Sequence, residues 1–234
     1  MKIDIWSDVA CPYCYIGKRH LEAALEHFPH KDQVQVTWHS FELDPEAPAE
    51  TKENQYEVVA RKYGVSPVQA KEMTARVLTS AGATGLSLDF DTVKPTNTFN
   101  AHRLIHLAAG QDKQDEMEER LFKAYFTEGR HIGQKESLQA IAAESGIDAT
   151  EMLNSDSFTD EVRKDEEEAQ SLGIRGVPFF VFDYKYAISG AQPVDAFIQT
   201  LSKVWEEAQP ATPTPNETAI ACDPDVCEDG ACRV

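Results

Sequence analysis

The chain opens on a short, largely apolar run, Ile3-Asp4-Ile5-Trp6, which predicts a strand. From Pro12 the spacing changes. Cys14, Gly17, Leu21, Ala24 or Leu25 and Phe28 fall on one stripe, which predicts a helix from Pro12 to Phe28. Residues 34–41, Val-Gln-Val-Thr-Trp-His-Ser-Phe, alternate with the period of a second strand and complete a βαβ unit. Asp44-Pro45-Glu46-Ala47-Pro48 then breaks the pattern, and helical spacing fills the middle of the chain. Its stripes are Tyr56, Val59 and Tyr63; Ala70, Met73 and Val77; Phe99, Leu104 and Ile105; and Met117, Leu121 and Tyr125. Leu138 and Ile141 form another before Gly146, and Phe158, Val162, Ala169 and Leu172 a last one before Gly173. Ser66-Pro67-Val68-Gln69 reads as a capping box with proline at the first helical position. Strand character returns in Phe179-Phe180-Val181-Phe182 and, after a turn around Asp183, in Tyr186-Ala187-Ile188. Phe197, Leu201 and Val204 mark a final helix from about Val194 to Glu207.

The resulting plan is βαβ, a helical block, then ββα, an α/β fold with a large all-helical insertion. Neither terminal part holds a complete sheet, so the two must pair. Residues 1–50 and 174–208 are expected to form one domain and residues 51–173 the insertion. Residues 209–234 read as a Pro-rich linker and a cysteine-containing tail; the three prolines between Gln209 and Glu217 favour an extended, semi-rigid chain. No internal repeat is visible.

Composition narrows the functional classes. At 234 residues the chain is long enough for a substantial core. No apolar run approaches the ~18 residues of a membrane span. The N-terminus shows no basic segment followed by an apolar one, so a cytoplasmic chain is expected. With 22 basic and 40 acidic residues, the net charge of −18 repels phosphate backbones and argues against nucleic-acid partners. The five cysteines are Cys11 and Cys14, then Cys222, Cys227 and Cys232. A disulfide-stapled domain would spread its cysteines through the body of the chain, and this one does not.

Cys11-Pro12-Tyr13-Cys14 carries the chemistry. Two cysteines separated by two residues at a helix start can cycle between dithiol and disulfide, and the helix N-terminus favours a thiolate. Pro12 fits the first helical position, which puts Cys11 at the N-cap. The helical stripe turns Cys14 toward the core and leaves Cys11 at an exposed tip, an arrangement that suits an attacking thiol and a shielded resolving one. A structural zinc site would need further Cys or His ligands. No second CxxC accompanies this one, so no metal is expected here. Tyr13 supplies no cation between the cysteines.

The order of these elements, with Val177-Pro178 opening the third strand, resembles the thioredoxin fold of the DsbA-like branch. The stretch from Ser7 to Lys18 resembles the FrnE-type subfamily of that branch. So do Phe41-Glu42-Leu43-Asp44-Pro45, Asn97-Thr98-Phe99-Asn100-Ala101-His102-Arg103 and Gly173-Ile174-Arg175-Gly176-Val177-Pro178-Phe179-Phe180. The resemblance covers residues 1 to about 208. It implies a thiol–disulfide oxidoreductase in which Cys11 attacks and Cys14 resolves, with no cofactor of its own. It further implies a cis Pro178 beside the cysteine pair. Val177 would there offer backbone hydrogen bonds to an extended substrate, with Pro12 and Tyr13 completing the binding surface.

His102 has two readings, a packed histidine or, as the resemblance implies, a proton shuttle, a role for which Asn97 is the alternative. In the tail, Cys222, Cys227 and Cys232 recur at five-residue steps among acidic residues. They are expected to act as an accessory redox group, most readily as a Cys222–Cys227 pair. A metal site is the alternative, with three thiolates and Asp223 or Asp225 as the fourth ligand. The expected partners are disulfide-containing proteins or small-molecule thiols, with glutathione among them. A reducing cytosol favours the reductase or isomerase direction. Two rival functions remain at this level. One is a glutathione-dependent isomerase or transferase of the same fold, which typically carries serine at the position of Cys11. The other is a metal- or oxidant-responsive protein acting through the tail. Oligomeric state is not legible.

Overall fold

The computed structural model describes residues 1–209. The mixed α/β architecture expected from the pattern is present. Strand β1 (Lys2–Ser7) leads into helix α1 (Pro12–Glu26) and returns through a single 3-10 turn to β2 (Gln35–Ser40). The helical block comprises α2 (Gln55–Tyr63), α3 (Pro67–Ala83), α4 (Phe99–Ala109), α5 (Gln114–Phe126), α6 (Lys135–Glu144), the short α7 (Thr150–Leu153) and α8 (Thr159–Ser171). Strands β3 (Phe179–Phe182) and β4 (Tyr186–Ser189) and helix α9 (Val194–Ala208) close the chain.

The sheet order is β2-β1-β3-β4. β1 and β2 run parallel with Ile5 opposite Trp38, so the chain crosses over between them through α1. β3 lies antiparallel to β1, Ile5 facing Phe180, and β4 antiparallel to β3. β1 is thus central and buried along most of its length, which explains why its sequence is nearly continuous in apolar character. One apolar core runs from Ile3 and Ile5 through Leu21 and Phe180 into Met117, Phe122 and Ile141 of the inserted helices. A smaller cluster of Trp6, Ala169, Ile174 and Val181 packs beneath α8.

Two close approaches position the cysteine helix. A side chain at Gly17 would meet Phe180 Cζ at 3.0 Å and Pro178 Cγ at 3.1 Å, so glycine lets α1 lie directly on β3 and on the segment before it. On the other side Lys18, buried, reaches Glu22 Oε1 at 2.6 Å and Asp115 Oδ1 at 2.9 Å, tying α1 to α5.

Three expectations differ in detail. Tyr63 is 59% exposed, and no residue of α2 is buried. That helix packs on α3 with Tyr56 against the core, and its ends are fixed by caps. Asn54 and Glu57 form a reciprocal capping box, and Gly64 ends the helix in the left-handed region at φ 65°. Phe158 does not begin α8 but precedes it at φ 64°, and Leu172 lies beyond its end, largely exposed. The short α7 has no signal of its own in the hydrophobic pattern.

Candidate active site

Cys11 occupies the N-cap of α1 in extended conformation (φ −95°, ψ 109°), and Pro12 takes the first helical position. The turn is closed by Cys11 N–H donating to Asp8 O at 2.9 Å and Cys14 N–H donating to Cys11 O at 3.0 Å. Both cysteines are free thiols. The expected orientation of Cys14 toward the core holds: it is 1% exposed. Cys11 corrects its expectation. It is only 5% exposed rather than set at an open tip. The Val177 carbonyl oxygen sits 3.6 Å from its sulfur, and the segment after β2 walls the cavity in front of it.

Val177–Pro178 is a cis peptide. Gly190 N–H donates to Pro178 O at 2.8 Å, fixing this segment to the end of β4. An open groove beside it is lined by Gly173, Arg175, Gly176, Phe179 and Ser189. Tyr13, 46% exposed, stands on the cavity side of the thiols.

Beneath the thiols the environment is polar and closed. Ser7 Oγ donates to Glu118 Oε1 at 2.7 Å, both residues buried. Burial raises the Glu118 carboxyl to about 7, with the Ser7 hydrogen bond and the charges of His102 and Lys18 acting against it. Burial likewise pushes the Cys14 thiol well up, and the neighbouring Cys11 sulfur adds to this. The Asp8 backbone and the Ser7 side chain work in the opposite direction. Cys14 is therefore held as a thiol, with the Ser7 hydroxyl between it and Glu118.

Asp8 joins the two sides of the site. Its carboxylate accepts Ala10 N–H at 3.1 Å and Leu43 N–H at 2.7 Å, so it holds both the cysteine turn and the segment after β2. Burial raises its pKa, but His102 beside it and the two backbone donors outweigh this, and it ends below the ordinary carboxylate value. His102 is buried on α4 with Nε2 3.5 Å from Asp8 Oδ1, an ion-pair distance too long for a strong hydrogen bond. Burial lowers its pKa, while Asp8, Glu118 and Glu42 together raise it above the ordinary value. Among the described residues, no hydrogen bond joins His102 to either thiol. Asn97 points elsewhere: its amide donates to Pro45 O at 3.1 Å and its oxygen accepts Phe99 N–H at 2.9 Å.

Glu118 is not singled out by the sequence pattern, and Ser7 and Glu42 stand there only within the stretches that carry the resemblance. Glu118 sits one position after Met117 and three before Leu121, on the buried side of α5, where an acid is out of place. The acidic run around it hides that signal. Cys222, Cys227 and Cys232 lie outside the described residues.

Comparison with known proteins agrees with this geometry. The chain is 38% identical to a probable DsbA oxidoreductase from Streptomyces coelicolor. The superposition covers 99% of this chain and 100% of that one with a TM-score of 0.85. It is 29% identical over 210 residues to the uncharacterized protein YwbO of Bacillus subtilis (strain 168), covering 86% of this chain and 95% of that one. The cytosolic disulfide reductase DsbM from Pseudomonas aeruginosa shares the fold at 19% identity. That match covers 89% of this chain and 100% of that one, with a TM-score of 0.61. The family model for the DSBA-like thioredoxin domain matches residues 2–202, and by that match the chain belongs to the DsbA-like thioredoxin-domain family.

Proposed function

We propose that this protein is a thiol–disulfide oxidoreductase of the FrnE type, working in the reducing or isomerising direction. The observation that carries the reading is the pair of free thiols in the first turn of α1, the outer one against the Val177 carbonyl and beside a cavity, the inner one sealed against Ser7.

In the reducing direction Cys11 thiolate attacks one sulfur of a substrate disulfide. A mixed disulfide forms and the other substrate sulfur leaves as thiolate. Cys14 then gives up its proton and attacks Cys11 Sγ. The second substrate thiolate is released, and Cys11–Cys14 holds the oxidised pair. Two electrons have passed to the substrate, and an external thiol or dithiol restores the enzyme. Val177, Pro178, Pro12 and Tyr13 form the surface the substrate meets. Ser7, beside Cys14 and donating to Glu118, and the Glu118 carboxylate are the groups to take the Cys14 proton. His102 holds Asp8, and through it the cysteine turn, more directly than it could shuttle protons to sulfur.

Glutathione enters as a reductant or as a substrate half. The fold is that of DsbM, for which a complex with GSH has been determined. The tail cysteines are proposed as an accessory redox group that exchanges with Cys11–Cys14. Deleting residues 209–234 should then change turnover and redox state.

A glutathione redox titration with each cysteine mapped by differential alkylation tests the assignment. Cys11 and Cys14 should titrate together as one two-electron pair. Independent titration, or glutathione-dependent isomerisation surviving Cys14→Ser unchanged, would favour the isomerase or transferase alternative.

A further inference from the structure

The thiol chemistry leaves unexplained a cavity in front of Cys11, about 370 Å³ in volume. That lies within the range of small-molecule sites, about 300–1,000 Å³. Its inner end is Ala10, Cys11 and Pro12. Its walls are Val58 and Val59 from α2, Met73 and Val77 from α3, and Phe90. We propose that this cavity binds a small organic disulfide with an aromatic or aliphatic body and a carboxylate at its outer end, and presents that disulfide to Cys11. The proposal rests on the reading of Cys11 as an attacking thiol and names the substrate class for it.

Three observations converge. The first is the apolar wall. α2 sets Val58 and Val59 toward the cavity, yet both remain half-exposed and no residue of the helix is buried. The helix is fastened at its ends and edges, by its capping box and by Tyr56 Oη donating to Asp91 at 2.9 Å. α2 packs along α3, and Val58 and Val59 keep part of their surface open to the cavity, where an apolar ligand can cover it.

The second is charge. Arg61, Lys62 and Arg76 all line the mouth in a protein of net charge −18. Arg61 is held by Glu53 at 3.0 Å, whereas Lys62 and Arg76 have no acidic partner among the described residues. Two free cations at one opening select an anionic group. The acids that also line the cavity are already engaged. Asp8 is bound by two backbone donors and His102, Glu53 by Arg61, and Asp44 lies close enough to Arg61 to interact with its charge.

The third is access. Cys11 is almost closed to bulk solvent but lines this cavity, so a slender molecule can reach it more readily than a disulfide on a folded surface. The reaction balances as above: ligand R–S–S–R′ yields Cys11–S–S–R and R′–S⁻, and attack by Cys14 releases R–S⁻.

The test uses full-length protein and two aromatic reagents, the dianion 5,5′-dithiobis(2-nitrobenzoate) and the neutral 4,4′-dithiodipyridine, with insulin as a protein substrate. In the Cys14→Ser chain, peptide mapping follows the Cys11 adduct separately from the tail thiols. Reversing the rim with Lys62→Glu and Arg76→Glu should slow the dianion at least tenfold and the neutral reagent less than twofold. Filling the cavity with Val59→Trp should slow both reagents at least tenfold while insulin reduction by the Cys14-containing chain stays within twofold. Equal slowing of insulin and the reagents, or no change in the ratio of dianion to neutral rates on rim reversal, overturns the proposal. A non-reacting analogue, 4-nitrobenzoate, separates the cavity from the thiol. It should bind the Cys11→Ser chain in calorimetry, and failure to bind sinks the cavity proposal even where Cys11 reacts normally. Binding beside a Cys11 that is inert in the unmodified protein would instead sink the oxidoreductase reading and support the cavity.

Discussion

Cys11 and Cys14 stand three positions apart on one helical turn and face opposite media. Cys14 looks down onto a hydroxyl and a buried carboxylate, in a region also holding Asp8, His102 and Glu42. Cys11 looks out past the Val177 carbonyl into an apolar cavity with cations at its mouth. The difference divides the labour. The outer thiol meets the substrate, and the inner one needs somewhere to send a proton. The same helix start serves both because α1 lies flat on β3 at Gly17 while α5 presses Glu118 against the end of β1.

Removing one thiol at a time should have the largest effect. Cys11→Ser should abolish turnover with disulfide substrates. Cys14→Ser should keep the first attack and accumulate the mixed disulfide, visible as an adduct on Cys11 by mass spectrometry. If Cys14→Ser turns over disulfides at the original rate, the inner thiol is not the resolving group.

Glu118→Gln addresses the proton route. Gln keeps an oxygen for the Ser7 hydroxyl but cannot accept a proton. Resolution of the mixed disulfide should slow by roughly 10²-fold, the lower end of general-base effects. The inflection near the carboxyl's pKa of about 7 should vanish from the pH–rate profile, while the first attack by Cys11 is untouched. Stability should move the other way. A buried carboxyl raised from 4.5 to about 7 costs folding free energy increasingly as pH rises through that interval. The Gln variant should therefore gain up to about 3 kcal/mol above pH 7 and nothing below pH 4, read from denaturant curves. A variant that loses rate without losing the inflection would show that Glu118 only supports packing.

Gly17→Ala should have a smaller effect. The added methyl would lie 3.0 Å from Phe180 Cζ and 3.1 Å from Pro178 Cγ, inside van der Waals contact, so α1 or β3 must shift by tenths of an ångström. A loss of about 1–3 kcal/mol is expected, the usual range for overpacking. Cys11 exchange should change with it, since the contact lies between the thiols and Pro178. Unchanged stability would mean the helix has slack at this point.

The βαβ and ββα segments were legible because strand alternation, the proline at a helix start and the apolar stripe of α1 each point to one element. The cysteine pair was legible because its chemistry depends on residues close in sequence. What escaped depends on residues brought together from afar. Ser7 and Glu118 are 111 positions apart, and nothing local marks either as a partner of Cys14. Cys11 was expected in the open because its own helix exposes it; the covering groups come from the segments after β2 and before β3. The stripe of α2 predicts the helix, and part of its apolar face looks onto a cavity. Periodicity reports that a helix has an apolar side, not what lies against it.

The smallest effect is expected on the far side of the sheet, where charge again gathers without touching the thiols. His39 is stacked on Trp6 at 4.5 Å, with Nε2 2.8 Å from Asp4 Oδ1 and Nδ1 2.8 Å from Asp165 Oδ1. Both ring nitrogens thus face carboxylates, which suits the doubly protonated ring. Burial lowers its pKa, but hydrogen bonds and charge from Asp165 and then Asp4 raise it above the ordinary value. Asp165 is itself held below the usual carboxylate range: burial is outweighed by hydrogen bonds from His106 and His39 and by the His39 charge. Lys2 on Asp4 and Tyr184 on Glu168 complete the charged surroundings. A raised histidine contributes stability that is complete below its unfolded pKa of about 6.5 and is lost as pH rises through the higher folded value. The lowered Asp165 contributes stability present above about pH 4 and lost in acid. The staple across β1, β2 and α8 should therefore be strongest between about pH 4 and 6.5. His39→Gln should cost about 1–2 kcal/mol in that window and progressively less above it, with Cys11 exchange unaffected throughout. A penalty that stays constant up to pH 9 would mean that His39 is held by stacking and hydrogen bonds as a neutral ring. The charge beneath the sheet would then be no counterpart to the charge beneath Cys14.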